Sequence, residues 1–297
     1  MKINVIDQWG HDNDIPVKVF TFSGGEVHVK IDMEAFKSSF IDLTTIQKVE
    51  VHQDIRSSDD FMAVVMVKDA LDEILRFNPK PIELFSLYVP YARQDRYCEK
   101  GEAFGVKSFA RLLNSLEFSR VLVADPHSEV TPAVITNLDA ISQDEIAFHV
   151  LKWKLRMEHF ELVSPDGGAL KKIFKLAKRM ELPVHCADKI RDTATGDIIR
   201  TDISVQDFNG ANLMIVDDIC DGGRTFIELA KVLRERNAGK IELYVTHGIF
   251  SKGVDVFDGY VDCIHSFNVW ENNVQDTNTK GLLVINQEEV QRQVISK

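Results

Sequence analysis

The chain has 297 residues, 44% of them hydrophobic and 27% charged, enough for one large or two medium domains and ordinary for a soluble protein. A formal net charge of -11 excludes broad attraction to nucleic acid or anionic membrane, and any phosphate chemistry must concentrate positive charge locally or borrow a metal ion. The amino-terminal stretch Met1–Asp7 lacks an apolar signal core and no run approaches membrane-spanning length, while Cys98, Cys186, Cys220 and Cys263 form no Cys-x-x-Cys pair, so reduced thiols in a cytoplasmic compartment are expected.

In chain order, short β-rich pieces come first, at Ile3–Ile6, Val17–Thr21, Val27–Ile31 and Lys48–His52. An apolar stretch at Phe61–Val67, a helical pattern at Asp69–Phe77 and a strand-like run at Glu83–Val89 follow. Val106–Leu116 reads as an amphipathic helix and Arg120–Asp125 as a buried strand. The second part repeats this logic: helix Glu145–Met157, strand Glu161–Ser164, a helix rich in Lys and Leu at Gly168–Met180, and strands at Val184–Ala187 and Ala211–Asp217. Ile198–Val205 suits one arm of a hairpin, and helix Thr225–Arg236 with strand Ile241–Thr246 completes the core. Strands alternating with helices predict an α/β fold of mainly parallel sheets covered on both faces. The expected domains are residues 1–140 and 141–281, with a last strand and helix within 282–297 packing back on the first domain.

The most informative stretch is Leu213–Thr225. An apolar run ends in Asp217 and Asp218, Asp221 follows, and Gly222-Gly223-Arg224-Thr225 leads into a helical pattern. Amides at a helix start favour an anion, and carboxylates just before the turn suit hydroxyl groups or a phosphate-bound cation. A sugar phosphate satisfies both. A lone Asp-Gly would need no more than a turn and a cap; three acids before such a turn ask for a ligand.

Ligands in open α/β sheets bind beyond the carboxyl ends of strands. Four further polar clusters follow predicted strands: Pro90–Arg96 with Arg93, Gln94 and Arg96; Asp125–Glu129 with His127; Ser164–Gly168 with Asp166, Gly167 and Gly168; and Asp188–Asp192 with Lys189 and Arg191. Singly they read as solvated charges, a structural histidine or a helix cap. Together they supply what phosphoryl or pyrophosphoryl transfer needs, positioning and neutralisation by Mg2+, Lys and Arg. His127 and Asp166 are plausible metal ligands, direct or through water. No Gly-x-x-x-x-Gly-Lys-Ser/Thr loop is present, so a P-loop nucleotide site is unsupported.

In this order the clusters resemble the ribose-phosphate pyrophosphokinase (PRPP synthetase) family over about residues 15 to 270. The resemblance is carried by Phe22-Ser23 with Glu26, Tyr91–Arg96, Asp125-x-His127, Ser164–Gly168, Asp188–Arg191, the Val216-Asp-Asp loop and Thr246–Ser251. It implies two type I phosphoribosyltransferase-like domains, ATP and ribose 5-phosphate as substrates, Mg2+, and a homo-oligomer sharing its ATP site between subunits. By the same resemblance, Phe22 and Glu26 touch adenine from a neighbouring subunit, and Arg93, Gln94, Arg96 and His127 belong to ATP binding. His127 and Asp166 are linked to the metal, and Asp166 with Gly167 and Gly168 opens the pyrophosphate loop. Lys189 and Arg191 form the catalytic pair on a flexible loop, and Asp217, Asp218 and Asp221 through Thr225 hold ribose 5-phosphate.

Three departures stand out: Gly24 where the family has Asn, Gly222-Gly223-Arg224 where it favours Thr-Ala/Gly-Gly, and Gly101–Phe104 in place of a more basic stretch. Two other readings stay open, a type I phosphoribosyltransferase that consumes PRPP and a catalytically silent regulatory subunit.

Overall fold

The computed structural model describes residues 1–39, 43–191, 198–274 and 282–284. The chain forms two compact units divided between Ile141 and Ser142.

In the first unit, strands β1 (Lys2–Asp7), β2 (Asp12–Ile15), β5 (Ile46–His52), β6 (Ile82–Phe85), β7 (Arg120–Ala124) and β8 (Leu138–Ile141) make one sheet in the order β2-β1-β5-β6-β7-β8. The run from β5 to β8 is parallel, and β1 pairs antiparallel with both neighbours. β3 (Val17–Thr21) and β4 (Val27–Ile31) form a separate hairpin. Strict alternation buries Val27, Val29 and Ile31 of β4 in one core with helix α2 (Ser58–Ile74).

α2 is one helix where the sequence suggested an apolar stretch and then a helix. Ser57 caps it by accepting from the Asp60 amide, Asp59 and Asp60 occupy the first turn, and Ala63, Val64, Val67 and Leu71 supply a buried helical stripe. β6 stops at Phe85, short of the expected Val89, because the Leu87 amide turns to the Asp54 carboxylate at 2.8 Å. Helices α1 (Met33–Ser39), α3 (Gly105–Asn114) and the short α4 (Val130–Val134) complete the unit.

The second unit carries β9 (Glu161–Ser164), β10 (Val184–Arg191), β11 (Ile198–Ile203), β12 (Leu213–Cys220), β13 (Ile241–Gly248), β14 (Cys263–Val269) and β15 (Leu282–Val284). Their order is β11-β10-β9-β12-β13-β14-β15, and every pairing except β10–β11 is parallel. All of β13 is buried, as expected of a strand covered on both faces. One core sets Leu213, Ile215 and Leu243 against α7 (Arg224–Glu235). The other sets Met214, Val216 and Tyr244 against α5 (Gln143–Met157) and α6 (Gly167–Met180).

β14 was not legible because buried His265, Ser266 and Asn268 interrupt its apolar pattern. The final segment is a correction: Leu282–Val284 pairs with Ile264–Ser266 of β14 in the second sheet, rather than packing on the first domain, and residues 285–297 lie outside the described residues.

At the amino-terminal edge of this sheet, Glu242 and His265 are joined at 2.7 Å, and Lys154 reaches Glu242 at 3.0 Å. Burial pushes the Glu242 carboxyl up, but the hydrogen bonds from His265 and Lys154 outweigh it and hold it below the usual range. Glu158, bonded by Lys240 and Lys154, is lowered to about 2. Cys263 lies close by, its thiol pushed up to about 11 by burial and by Glu242.

Candidate active site

The first unit presents its candidate residues on three connections. Phe22 and Glu26 lie in the β3–β4 turn, closed by Phe22 N donating to Glu26 O at 2.9 Å. Phe22 is 53% exposed and packs edge-on against Phe20 at 5.2 Å. Gly24, the family departure, leaves room for Glu26, whose Oε2 would stand 2.5 Å from a Cβ there.

Arg93, Gln94 and Arg96 are exposed on the segment between β6 and α3. The turn holding them puts Tyr91 at φ 63°, with Gln94 N bonded to Tyr91 O at 2.8 Å. Arg96 Nε lies 3.5 Å from Asp95.

After β7, Asp125 (φ 40°) and His127 (φ 64°) both adopt left-handed backbone. Two successive three-residue turns close on them, His127 N to Asp125 O at 2.8 Å and Ser128 N to Pro126 O at 2.7 Å. Non-glycine residues in such conformations cost about 1–3 kcal/mol each and cluster at functional sites. That local strain is an independent mark on the Asp125-x-His127 motif.

The second unit gathers its candidates along the carboxyl edge of its sheet. Asp166 caps α6, Oδ1 accepting from the amides of Gly168 at 3.0 Å and Ala169 at 3.1 Å. The structural cap expected of an Asp-Gly-Gly sequence is therefore present, and it fixes the orientation of this carboxylate. Cys186, beside Asp188 and Asp166, has its thiol raised by burial and by those two charges.

β12 carries the vicinal acids. The strand does not end at Asp217, as the sequence suggested, but continues through Asp218 to Cys220, in register with β13 as far as Gly248. Alternation along the strand sends the two acids to opposite faces. Asp218 follows Met214 and Val216 toward the α6 layer, where Lys172 Nζ meets its Oδ2 at 3.1 Å. Asp217 Oδ1 accepts from the Asp218 amide at 2.9 Å. Asp221 accepts from Ser251 Oγ at 2.6 Å.

Gly222 and Gly223 then make the turn. Gly223 is at φ 78° with Phe257 Cζ 2.6 Å from where a Cβ would stand, so no other residue fits without displacement. Gly222 runs beside the Lys252 stem, 3.5 Å from an equivalent Cβ. α7 starts at Arg224 and Thr225 with no side-chain cap and no acid in its first turn, so no side chain of that turn offsets the positive end of the helix. Cys220 is fully buried and its thiol is pushed up by burial and by Asp217 and Asp221. It is a small filler of the core, not a nucleophile.

Lys189 and Arg191 lie on strand β10, where a flexible loop was expected from the resemblance. Val184–Cys186 pair with β9 and Ala187–Arg191 with β11, so the hairpin overshoots the end of β9. Residues 192–197 lie outside the described residues.

Lys172 and Lys252 were missed by sequence reasoning. Each is one lysine among many, and only a partner 46 residues away in sequence singles out Lys172. Among the described residues, the group of three metal-type ligands within 4.8 Å is Glu242, Cys263 and His265, at the other edge of the sheet and already paired with Lys154. No described helix is long and apolar enough to cross a membrane.

Residues 200–286 match the family described as the phosphoribosyl synthetase-associated domain. A ribose-phosphate pyrophosphokinase of Pyrococcus abyssi is 30% identical over 247 residues, covering 82% of this chain and 80% of the relative. One from Mycoplasmopsis pulmonis is 33% identical over 192 residues, covering 63% of this chain, which spans 58% of that relative's length. The crystal structure of phosphoribosylpyrophosphate synthetase from Mycobacterium smegmatis superposes with a TM-score of 0.70 at 18% identity, over 95% of this chain and 91% of the other. That superposition shows a shared two-sheet α/β fold, and the sequence relatives show more: the chain belongs to the ribose-phosphate pyrophosphokinase family.

Proposed function

We propose that the chain is a Mg2+-dependent diphosphokinase that transfers the β,γ-diphosphoryl group of ATP to the C1 hydroxyl of ribose 5-phosphate, giving PRPP and AMP. The observation that carries this reading is the run of Asp217, Asp218 and Asp221 into the Gly223 turn and the uncapped start of α7. Acids for ribose hydroxyls and an anion site for the 5-phosphate stand next to each other on one connection. Arg224, in the first turn of α7, adds a guanidinium for the phosphate.

The first unit serves ATP: Arg93, Gln94 and Arg96 bind its phosphates, and Phe22 and Glu26 contact adenine at a neighbouring subunit of a homo-oligomer. In the reaction the C1 oxygen forms its bond to the β-phosphorus as the bond from that phosphorus to the α-phosphate oxygen breaks. AMP leaves and the hydroxyl proton is released. Lys189 and Arg191 stabilise the charge that builds on the transferred group.

The donors suit a hard, hydrated cation. The Asp166 carboxylate, oriented by two amides, would hold Mg2+ directly, and the imidazole of His127 in the first unit is suited to a metal contact through water. When bound, Mg2+ neutralises charge on the diphosphate oxygens. A cytoplasmic location fits four free thiols.

The test is an assay with ATP, Mg2+ and ribose 5-phosphate, following AMP. AMP formation that depends on ribose 5-phosphate is the expected result. Base-dependent consumption of supplied PRPP without AMP formation would instead mark a phosphoribosyltransferase, and neither reaction would mark a silent subunit.

A further inference from the structure

We propose that Lys172 is a positioning residue of the ribose 5-phosphate site, holding Asp218 in place and tying the helix of the Asp166–Gly168 turn to the acid-bearing strand. The inference deepens the proposed function and rests on it. Asp218 is only 9% exposed and points into the α6 layer, where an unpaired carboxylate would be costly. The Lys172 ammonium meets it, with Nζ at 3.1 Å from Oδ2.

Lys172 is placed for this by α6 itself. The helix begins at the Asp166 cap, and its next residue, Ile173, is fully packed with Leu176 and Ala177 against Met214 and Val216 of β12. Lys172 therefore stands at the rim of a packed helix–strand contact, with little freedom to leave. Its stem stays against protein while its ammonium reaches the strand end.

The ion pair thus connects two loops with different substrates. One end of α6 is the turn that serves diphosphate, and one end of β12 carries the acids that serve ribose. A side chain joining them fixes how far apart the two ligands lie, and transfer chemistry is sensitive to that spacing. Loss of the ammonium removes its charge from the Asp218 carboxylate and loosens the placement of that carboxylate beside the ribose hydroxyls. The neighbouring acid, Asp217, keeps its own bond to the Asp218 amide, so the damage centres on the sugar.

The test compares the unaltered chain with Lys172→Met, Lys172→Arg and the double variant Lys172→Met/Asp218→Asn, measuring kcat, both KM values and ribose 5-phosphate binding by calorimetry. Lys172→Met should raise the KM for ribose 5-phosphate about tenfold or more and leave that for ATP within about twofold. Lys172→Arg should recover most of the loss, because it restores the charge at the same carboxylate. The double variant removes both charges, so it should melt near the unaltered chain yet keep the weak sugar binding.

A melting temperature that falls while the KM for ribose 5-phosphate stays put would overturn the proposal, as would equal losses for both substrates or no recovery with Arg. If Lys172→Met does not fold, the double and Arg variants decide the same question. If the unaltered chain makes no AMP, the proposed reaction fails, and calorimetry still reports whether Lys172 governs sugar binding.

Discussion

The two edges of the second sheet surround their charges differently. At the amino-terminal edge, Glu242 is buried and met by both Lys154 and His265. Lys154 and Lys240 also meet Glu158 there. Charges closed on one another in this way hold structure. At the carboxyl edge, a glycine at φ 78° turns the chain into a helix start without cap or acid, just after three carboxylates. Charge at the first edge is closed on itself, whereas the second edge sets three carboxylates beside a helix start that has no acid of its own, which is why the proposed ligand site lies there.

The comparison breaks first, and hardest, if the carboxyl edge does no chemistry. Lys189→Ala should lower kcat by about 100-fold or more with far less change in substrate affinity, since its charge matters most in the transition state. Steady-state kinetics checks this, and near-normal turnover would remove Lys189 from the reaction.

Next in size is Gly223→Ala. The added Cβ must displace Phe257 at 2.6 Å and adopt a left-handed backbone, which should cost about 1–3 kcal/mol of stability and abolish most ribose 5-phosphate binding. Denaturant melts with calorimetry read both effects.

The amino-terminal edge should respond through pH instead. Glu158 and Glu242 are lowered in the folded state, so they contribute stability above their unfolded values. That contribution is lost as pH falls through the usual carboxylate range toward about 2, the folded value of Glu158. Glu242→Gln should flatten the acid limb of melting temperature against pH while leaving kcat/KM at neutral pH almost unchanged. A large kinetic effect would mean that the two edges are not separate in function.

The smallest expected change is Arg224→Ala, a several-fold rise in the KM for ribose 5-phosphate that shrinks with added salt, because the guanidinium is exposed. An unchanged KM would place the phosphate elsewhere.

How much was legible in advance differs by element. β3, β4 and β9 were bounded correctly from apolar patterning and β7 to within one residue, and the acidic loop with its helix was clear because glycines and acids there contradict a bland turn. β2, α1, α4, β8 and β14 were not. β8 offers four residues including Asp139, and β14 buries His265 and Asn268 among its neighbours, so neither shows a periodic apolar signal. The strain at Asp125 and His127 was equally invisible, since it belongs to backbone angles. Lys172 needed a contact across 46 residues. Motif spacing reveals residues that share a loop; it does not reveal a helix side chain reaching the next strand.

The most direct test of the central claim is a phosphorus NMR time course of the purified chain with ATP, Mg2+ and ribose 5-phosphate. AMP and PRPP should rise together, one of each for each ATP lost, and neither should appear when ribose 5-phosphate or Mg2+ is left out. Formation of ADP in place of AMP, or AMP without PRPP, would contradict that claim.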